Sequence, residues 1–375
     1  MNINDFNNTN TNEDHLIPVL IDDTVQCLRF FPSKNVDFLA SGSWDSKLNI
    51  FEINYRVISQ NSNQDIVKIA SEQKYSFKHQ SPILSMSWKG ASGVLFSGCI
   101  DGSINYIDCQ KNNVAKIGEH RGGCREVIYI DNYDALLTGG WDGVLKVWDL
   151  RSKDPILTYQ FCNKIYSMSS KKNLLVVSLS ENVMSYFNLD NLQKYKFEPE
   201  LIYLSHIKNH IKKVAVTNEG NQYLEGSSEG RIAVKNISFY LKPKFSDDNC
   251  TLCCEKDFAF RCHREVRNIG NNNFVQCYPV NDICVNPVYG SVASAGGNGK
   301  YCIWDIVQKS KVFERPNSDD KTPLTACEFN NSGNLLAYAS GYDWSKGAQF
   351  AHLYNRPKIF IHYLQQNQRK SSNKY

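Results

Sequence analysis

The chain has 375 residues, 42% hydrophobic and 21% charged, with 42 Lys and Arg against 38 Asp and Glu and a formal net charge of +4. That balance is too slight to mark the whole surface as a nucleic-acid binder, so any electrostatic function must be local. Its 13 cysteines sit singly in strand-like runs without a basic-then-apolar leader, which predicts reduced thiols in a nuclear or cytosolic protein, and no apolar run approaches the ~18 residues of a membrane span.

The Asn-rich start MNINDFNNTNTNE lacks apolar periodicity and predicts a flexible tail over residues 1–12. HLIPVL follows from His15, and then seven paired apolar runs. These are VQCLRFFP with FLASGSWD, ILSMSWKG with VLFSGCID, REVIYI with ALLTGGWD, IYSMSS with LLVVSLSE, KKVAVT with YLEGSSEG, VNDICVNP with GSVASAGGNG, and LTACEFN with LLAYASGYD. Each pair ends on a turn residue: Asp45, Asp101, Asp142, Glu181 with Asn182, Glu229, Asn298 and Asp343. Asp or Asn before Gly or a small polar residue tolerates the positive φ of a tight hairpin, and an alternating strand then follows. Recurrence at about 40 residues is the WD40 period.

Seven such units predict an all-β, seven-bladed WD40 β-propeller, one domain over residues 13–364, with a flexible polar tail over residues 365–375. A lone blade cannot bury both faces, so the ring must close. The last strand, KIFIHYL at residues 358–364, needs a partner, and HLIPVL is the one unassigned strand before the first blade. The N-terminal strand is therefore predicted to pair with the last blade. The polar run over residues 54–75 reads as a long loop.

The third repeat alone carries His120, Thr138, Asp142 and Trp148 together, a set that predicts a structural hydrogen-bond chain; other repeats keep parts, such as His79, Ser97 and Asp101. GSSEG at residues 226–230 matches G-x-S-x-G, but a β-patterned run follows where a nucleophile elbow needs a helix. GGNGK at residues 296–300 lacks the spacing of a phosphate-binding loop. Cys250, Cys253, Cys254, Cys262 and His263 could supply soft ligands, but their spacing is untidy and reduced thiols are expected. No catalytic residue, metal or cofactor is expected. Arg261, His263, Arg264 and Arg267 fall within seven residues and Arg231 lies in the preceding repeat, which predicts guanidiniums on adjacent edges of the fifth and sixth blades. Arginine forks bind carboxylates bidentately. His206, Lys208, His210, Lys212 and Lys213 read as a solvated face.

DFAFRCHR at residues 257–264 and LLAYASGYDWSKGAQF at residues 335–350 go beyond the generic repeat. With EGRIAV at residues 229–234, the first GSWD and the third GGWDGVLKVWD, they make the chain resemble the nuclear-pore mRNA export factors of the Rae/Gle class over residues 20–365. The Bub-type mitotic checkpoint propellers share similar segments, and YDWSKG at residues 342–347 separates the two. The resemblance implies a non-enzymatic scaffold in the nucleus, at the nuclear pore complex of the nuclear envelope, and also in the cytoplasm. It implies capture of a short acidic Gle-binding segment of an FG-repeat nucleoporin, as one chain of a heterodimer. Arg231 and Arg261 would hold acidic side chains of that segment, Arg264 would share the role, and Trp44 would pack against it. The family is also linked to mRNA and single-stranded RNA; Trp344 and Lys346 offer an aromatic platform beside a cation, with Arg267 as a further candidate. The alternatives are a spindle-checkpoint propeller reading phosphorylated kinetochore repeats and an unrelated WD40 adaptor. Two departures from the family pattern are the Asn-rich NIGNNNF at residues 268–274 and a fourth blade without Trp-Asp.

Overall fold

The repeated hairpins grow into seven four-stranded antiparallel sheets in the computed structural model, which describes residues 14–60, 65–194, 197–237, 257–269, 272–316 and 321–369. Blade one runs Val25–Phe30, Asp37–Ser43, Lys47–Gln60 and Asp65–Lys78, and blade three Cys124–Ile130, Ala135–Gly140, Val144–Asp149 and Leu157–Gln160. Blade five comprises Ile211–Val216, Gln222–Ser227, Arg231–Asn236 and Phe258–Arg261, and blade six Val280–Val285, Val292–Gly296, Lys300–Asp305 and Ser310–Pro316. Blade seven takes Leu324–Phe329, Leu335–Ser340 and Lys358–Tyr363, and its fourth strand is the N-terminal His15–Leu16. Apolar side chains meet between blades: Leu28, Leu39 and Phe51 of blade one pack with Ala337, Ile359 and Ile361 of blade seven. Burying each such Leu, Ile or Phe contributes about 1.5–3 kcal/mol, and only radial stacking buries both faces of a sheet.

The turn after each second strand carries a left-handed residue. It is Ser46, Gly102, Gly143, Asn182, Gly230, Gly299 or Trp344, and in blade four Glu181 is left-handed as well. In blade three Trp148 Nε1 donates to Thr138 Oγ1 (2.9 Å), and the Thr138 hydroxyl donates to His120 Nε2 (2.8 Å). His120 Nδ1 in turn donates to Asp142 Oδ1 (3.1 Å). The chain is not confined to that blade. Blade six repeats it with Trp304, Ser294, His263 and Asn298, linked at 2.9, 2.9 and 3.0 Å. In these two blades the glycine two before the turn acid or amide is explained by the rings: a Cβ on Gly140 would lie 2.6 Å from His120 Nδ1, and one on Gly296 would lie 2.1 Å from His263 Nδ1.

Two stretches differ from the sequence expectation. Residues 54–60 and 65–75 are strand, not loop: both outer strands of blade one are 14 residues long and pair out to Gln60↔Asp65. Tyr55 and Val57 alternate with exposed Asn54, Arg56 and Ile58, a period-two signal masked by polar composition. Gln366–Arg369, assigned to the polar tail, is a helical turn whose Arg369 Nε donates to Leu364 O (2.9 Å) and whose guanidinium lies over the Tyr363 ring. Residues 1–12 lie outside the described part.

Ring closure is short and strongly tied. His15 faces Ile361 and Leu16 faces Phe360, and the adjoining Asp14 accepts from His362 Nδ1 (2.7 Å), from Tyr338 OH (2.5 Å) and from Arg315 at 3.3 Å. Burial opposes ionisation of Asp14, but its His362 and Arg315 partners outweigh it and hold the carboxyl below the usual range. His263, by contrast, is pushed down to about 4 by burial and stays neutral. Two separate acid limbs are expected in the melting temperature. A depressed His263 means the unfolded chain takes up the proton first, so stability falls from pH ~6.5 toward 4, by up to about 3 kcal/mol, and His263→Leu should reduce that slope. Asp14 contributes above pH ~4 and its share is lost below, a limb that Asp14→Asn should remove at a cost of about 1–3 kcal/mol at neutral pH.

Candidate functional site

The predicted residues lie at one end of the ring, around the turns that follow the second strands, but in two places. On the rim, Arg231 opens the third strand of blade five and stands directly opposite Arg261, the last residue of the fourth. The sequence placed this pair across blades five and six; both belong to blade five, because Phe258–Arg261 completes that sheet. Alternation turns Ile232 and Val234 inward and leaves both arginines exposed on one face. Among the described residues neither guanidinium has a carboxylate within ion-pair distance, so two like charges sit opposite one another uncompensated. Along the same face runs a groove of about 480 Å³ lined by Arg231, Ala233, Ala259 and Lys208, with Lys235 and Asp257 paired at 3.0 Å at its far end.

Arg264 and Arg267 lie on a hairpin, Arg264–Ile269 with Asn272–Cys277, inserted between His263 and blade six. Arg264 Nη2 donates to Glu229 O (3.2 Å) and Nε to Gly230 O (3.4 Å), clipping the hairpin to the blade-five turn. Arg264 therefore positions the rim around Arg231. Arg267 points the other way and donates to Tyr278 OH at 3.2 Å. His263 is not part of the charged rim, since it is buried in the blade-six hydrogen-bond chain. Cys250, Cys253 and Cys254 lie outside the described residues, Cys262 is buried, and no cluster of three metal-binding side chains occurs among the described residues.

Trp44 and Trp344 lie elsewhere. Both line a cavity of about 520 Å³ at the mouth of the central channel, with Arg125, Lys212, Asn281 and Asp343. Trp44 Nε1 donates to Gln26 Oε1 (3.0 Å), which fixes its indole. Trp344 occupies the left-handed turn position, φ 57°, and is 47% exposed. A bulky residue with that φ is an outlier of the kind that collects at functional sites. Behind it Tyr342 stacks on Tyr354 (4.6 Å between centroids), and Lys346 donates to Tyr354 OH at 3.0 Å.

The basic stretch read as a solvated face is divided. His206 and Lys208 are exposed, but Lys212 and Lys213 sit on the innermost strand at a register shift between Ile211 and Lys213. Such a bulge redirects consecutive side chains, here toward the channel. Lys213 lies 3.5 Å from Glu126 and 3.5 Å from Asp282. Burial works against the Glu126 charge, but Lys213 and Arg125 outweigh it and hold the carboxyl below its usual range. The signal that could have revealed these lysines is their place in an IKKVAV strand equivalent to CREVIY, which carries Arg125 and Glu126.

Residues 14–52, 71–108 and 111–149 match the WD domain, G-beta repeat family. Over 355 residues the chain is 32% identical to the poly(A)+ RNA export protein of Schizosaccharomyces pombe, covering 93% of this chain and 90% of that one. It is 30% identical over 366 residues to the mRNA export factor rae-1 of Caenorhabditis elegans, at 95% and 89% coverage. Against the mRNA export factor GLE2 of Chaetomium thermophilum it is 30% identical over 347 residues, at 91% and 87% coverage. With likeness running through every blade of the ring, the chain belongs to the Rae/Gle family of WD40 mRNA export factors.

Proposed function

We propose that the protein is a scaffold for mRNA export at the nuclear pore complex, where its blade-five rim holds a short acidic segment of an FG-repeat nucleoporin. The observation that carries this reading is the Arg231↔Arg261 pair. Like charges directly opposite in a sheet destabilise it, and a carboxylate lying between them removes the repulsion and gains two charge-assisted hydrogen bonds. The groove beside the pair is lined by Ala233 and Ala259, small enough for an extended backbone to lie close. Arg264 enters through its grip on the turn rather than by touching the segment. Trp44, away from this groove, meets the segment only where it continues to the channel mouth.

Single-stranded RNA contact is assigned to the neighbouring rim of Trp344, Lys346 and Arg267. Lys346 is steadied by Tyr354, and Arg267 donates to Tyr278 OH, which in turn donates to Glu265 Oε2 at 3.2 Å. A half-exposed indole beside them gives a base a stacking surface.

Arg231→Glu or Arg261→Glu is expected to abolish pull-down of the nucleoporin fragment, a loss of about 2–5 kcal/mol, while thermal stability moves by less than about 0.5 kcal/mol. Capture that survives both reversals disproves the rim site, and capture that requires a phosphorylated peptide favours a checkpoint role instead. For RNA, log affinity should fall with log salt concentration, and Lys346→Ala should shallow that slope by about 0.7; an affinity indifferent to salt removes the phosphate contact.

A further inference from the structure

The channel mouth contains a half-buried cation without an ion-pair partner among the described residues, Asp343 acting on it only from the far side of Asn281. Lys212 Nζ donates to Asn281 Oδ1 at 2.6 Å, and no carboxylate among the described residues lies within ion-pair distance of it. An ammonium has three donors, so two remain to be satisfied from the cavity it lines. Its direction is set from behind. Asn281 Nδ2 donates to Leu324 O (2.8 Å) and to Asp343 Oδ2 (3.2 Å), which leaves its carbonyl oxygen facing Lys212. Arg125 lines the same floor, 3.7 Å from a Glu126 already shared with Lys213 and Ser85.

The rest of the lining is different. Trp44 and Trp344 supply two indoles, and Asp23 and Asp343 supply carboxylates already engaged by the Thr24 amide (2.7 Å), Asn281 and Ser345. The lining is thus mixed: two cations, two indoles and two occupied carboxylates, of which Asp343 is held on the Asn281 amide that also meets Lys212. A doubly charged phosphate gains little there, because the two carboxylates repel it. A single carboxylate attached to an apolar or aromatic group fits both the cations and the indoles, and about 520 Å³ lies within the range of pockets that enclose small ligands.

We propose that the channel mouth is a carboxylate-binding subsite in which Lys212, aided by Arg125, takes an acidic side chain of a peptide while the neighbouring apolar side chain slots against Trp44 and Trp344. Burial already depresses the Lys212 ammonium below its ordinary range, the cost a bound carboxylate would relieve. Naming the nucleoporin's acidic segment as the natural source of that side chain rests on the function proposed above; the subsite itself does not.

The test uses the full chain and two small probes, acetyl-Phe-Glu-amide and acetyl-Phe-Gln-amide, titrated by tryptophan fluorescence. The Glu probe should bind at least tenfold more tightly. Lys212→Met, whose apolar side chain suits the half-buried position, should erase that preference, Arg125→Met should reduce it several-fold, and Arg231→Glu on the distant rim should leave it intact. Equal binding of the two probes, binding of neither, or a preference that persists in Lys212→Met overturns the subsite. So does tighter binding of acetyl-Phe-phosphoserine-amide, which would mark a phosphate reader. Free 3-phenylpropanoate separates the sources: an affinity equal to that of the Glu probe overturns the peptide assignment. Because neither probe is the nucleoporin segment, failure here leaves the rim site untouched, and failure of the pull-down leaves this result standing.

Discussion

A blade holds its shape only while neighbours cover both of its faces, so the ring depends on the single junction where the chain returns to itself. Here that junction is a two-residue strand, His15–Leu16, against Lys358–Tyr363. Two residues of ladder are a small contribution, and the adjoining Asp14 reinforces them through His362, Tyr338 and Arg315. Tyr338 comes from the second strand of blade seven and Arg315 from the last strand of blade six, so one carboxylate ties together three elements far apart in sequence. Everything on the upper face, including the seam between Trp44 of blade one and Trp344 of blade seven, inherits its geometry from this closure. Thr24 Oγ1, donating to Tyr342 O at 2.9 Å, carries it to that face.

The turns show how the same local rule serves both stability and recognition. In blades three and six a buried imidazole bridges the turn residue and the second strand. Blade five has abandoned it. Ser205 donates to Glu225 Oε2 (2.6 Å), Tyr203 and Tyr223 donate to its other oxygen, and the fully buried carboxylate is satisfied by hydroxyls alone. Its turn is held from within by Ser227 Oγ, which accepts from the Arg231 amide (3.2 Å), and from outside by Arg264 on the Glu229 and Gly230 carbonyls. The blade that carries the exposed arginine pair thus has the rim as a second fastening of its turn. In blade seven the left-handed position normally suited to Gly goes to Trp344, which exchanges backbone ease for an indole at the channel mouth.

Much of the fold was legible because hairpin turns and strand alternation are local. Asp142-Gly143 before an alternating strand and the unpaired KIFIHYL were sufficient for blade number and closure. What escaped is non-local. His120 and Thr138 are 18 residues apart, as are His79 and Ser97, but His263 and Ser294 are 31 apart because a hairpin intervenes, so the blade-six chain is hidden from a reading by spacing. The same hairpin brought Arg264 and Arg267 together in sequence and sent them to different tasks. Arg231 and Arg261 stood out as local positive charge and then by likeness to a family, and only the strand register shows them face to face. Lys212 looked solvated because its neighbours His206 and Lys208 are; the bulge that turns it inward has no residue signature of its own.

The two charged places differ in what they can do for a partner. Arg231 and Arg261 stand in solvent, where attraction reaches outward but is screened beyond ~10 Å at moderate salt, so they favour capture and the rate of encounter. Lys212 stands in a cavity, where a bound carboxylate is shielded from water and ions, so its contribution appears mainly as slower release. A segment that spans rim and mouth would therefore lose its on-rate with salt while keeping much of its residence time. That combination follows from where the fold places its cations rather than from how many it has.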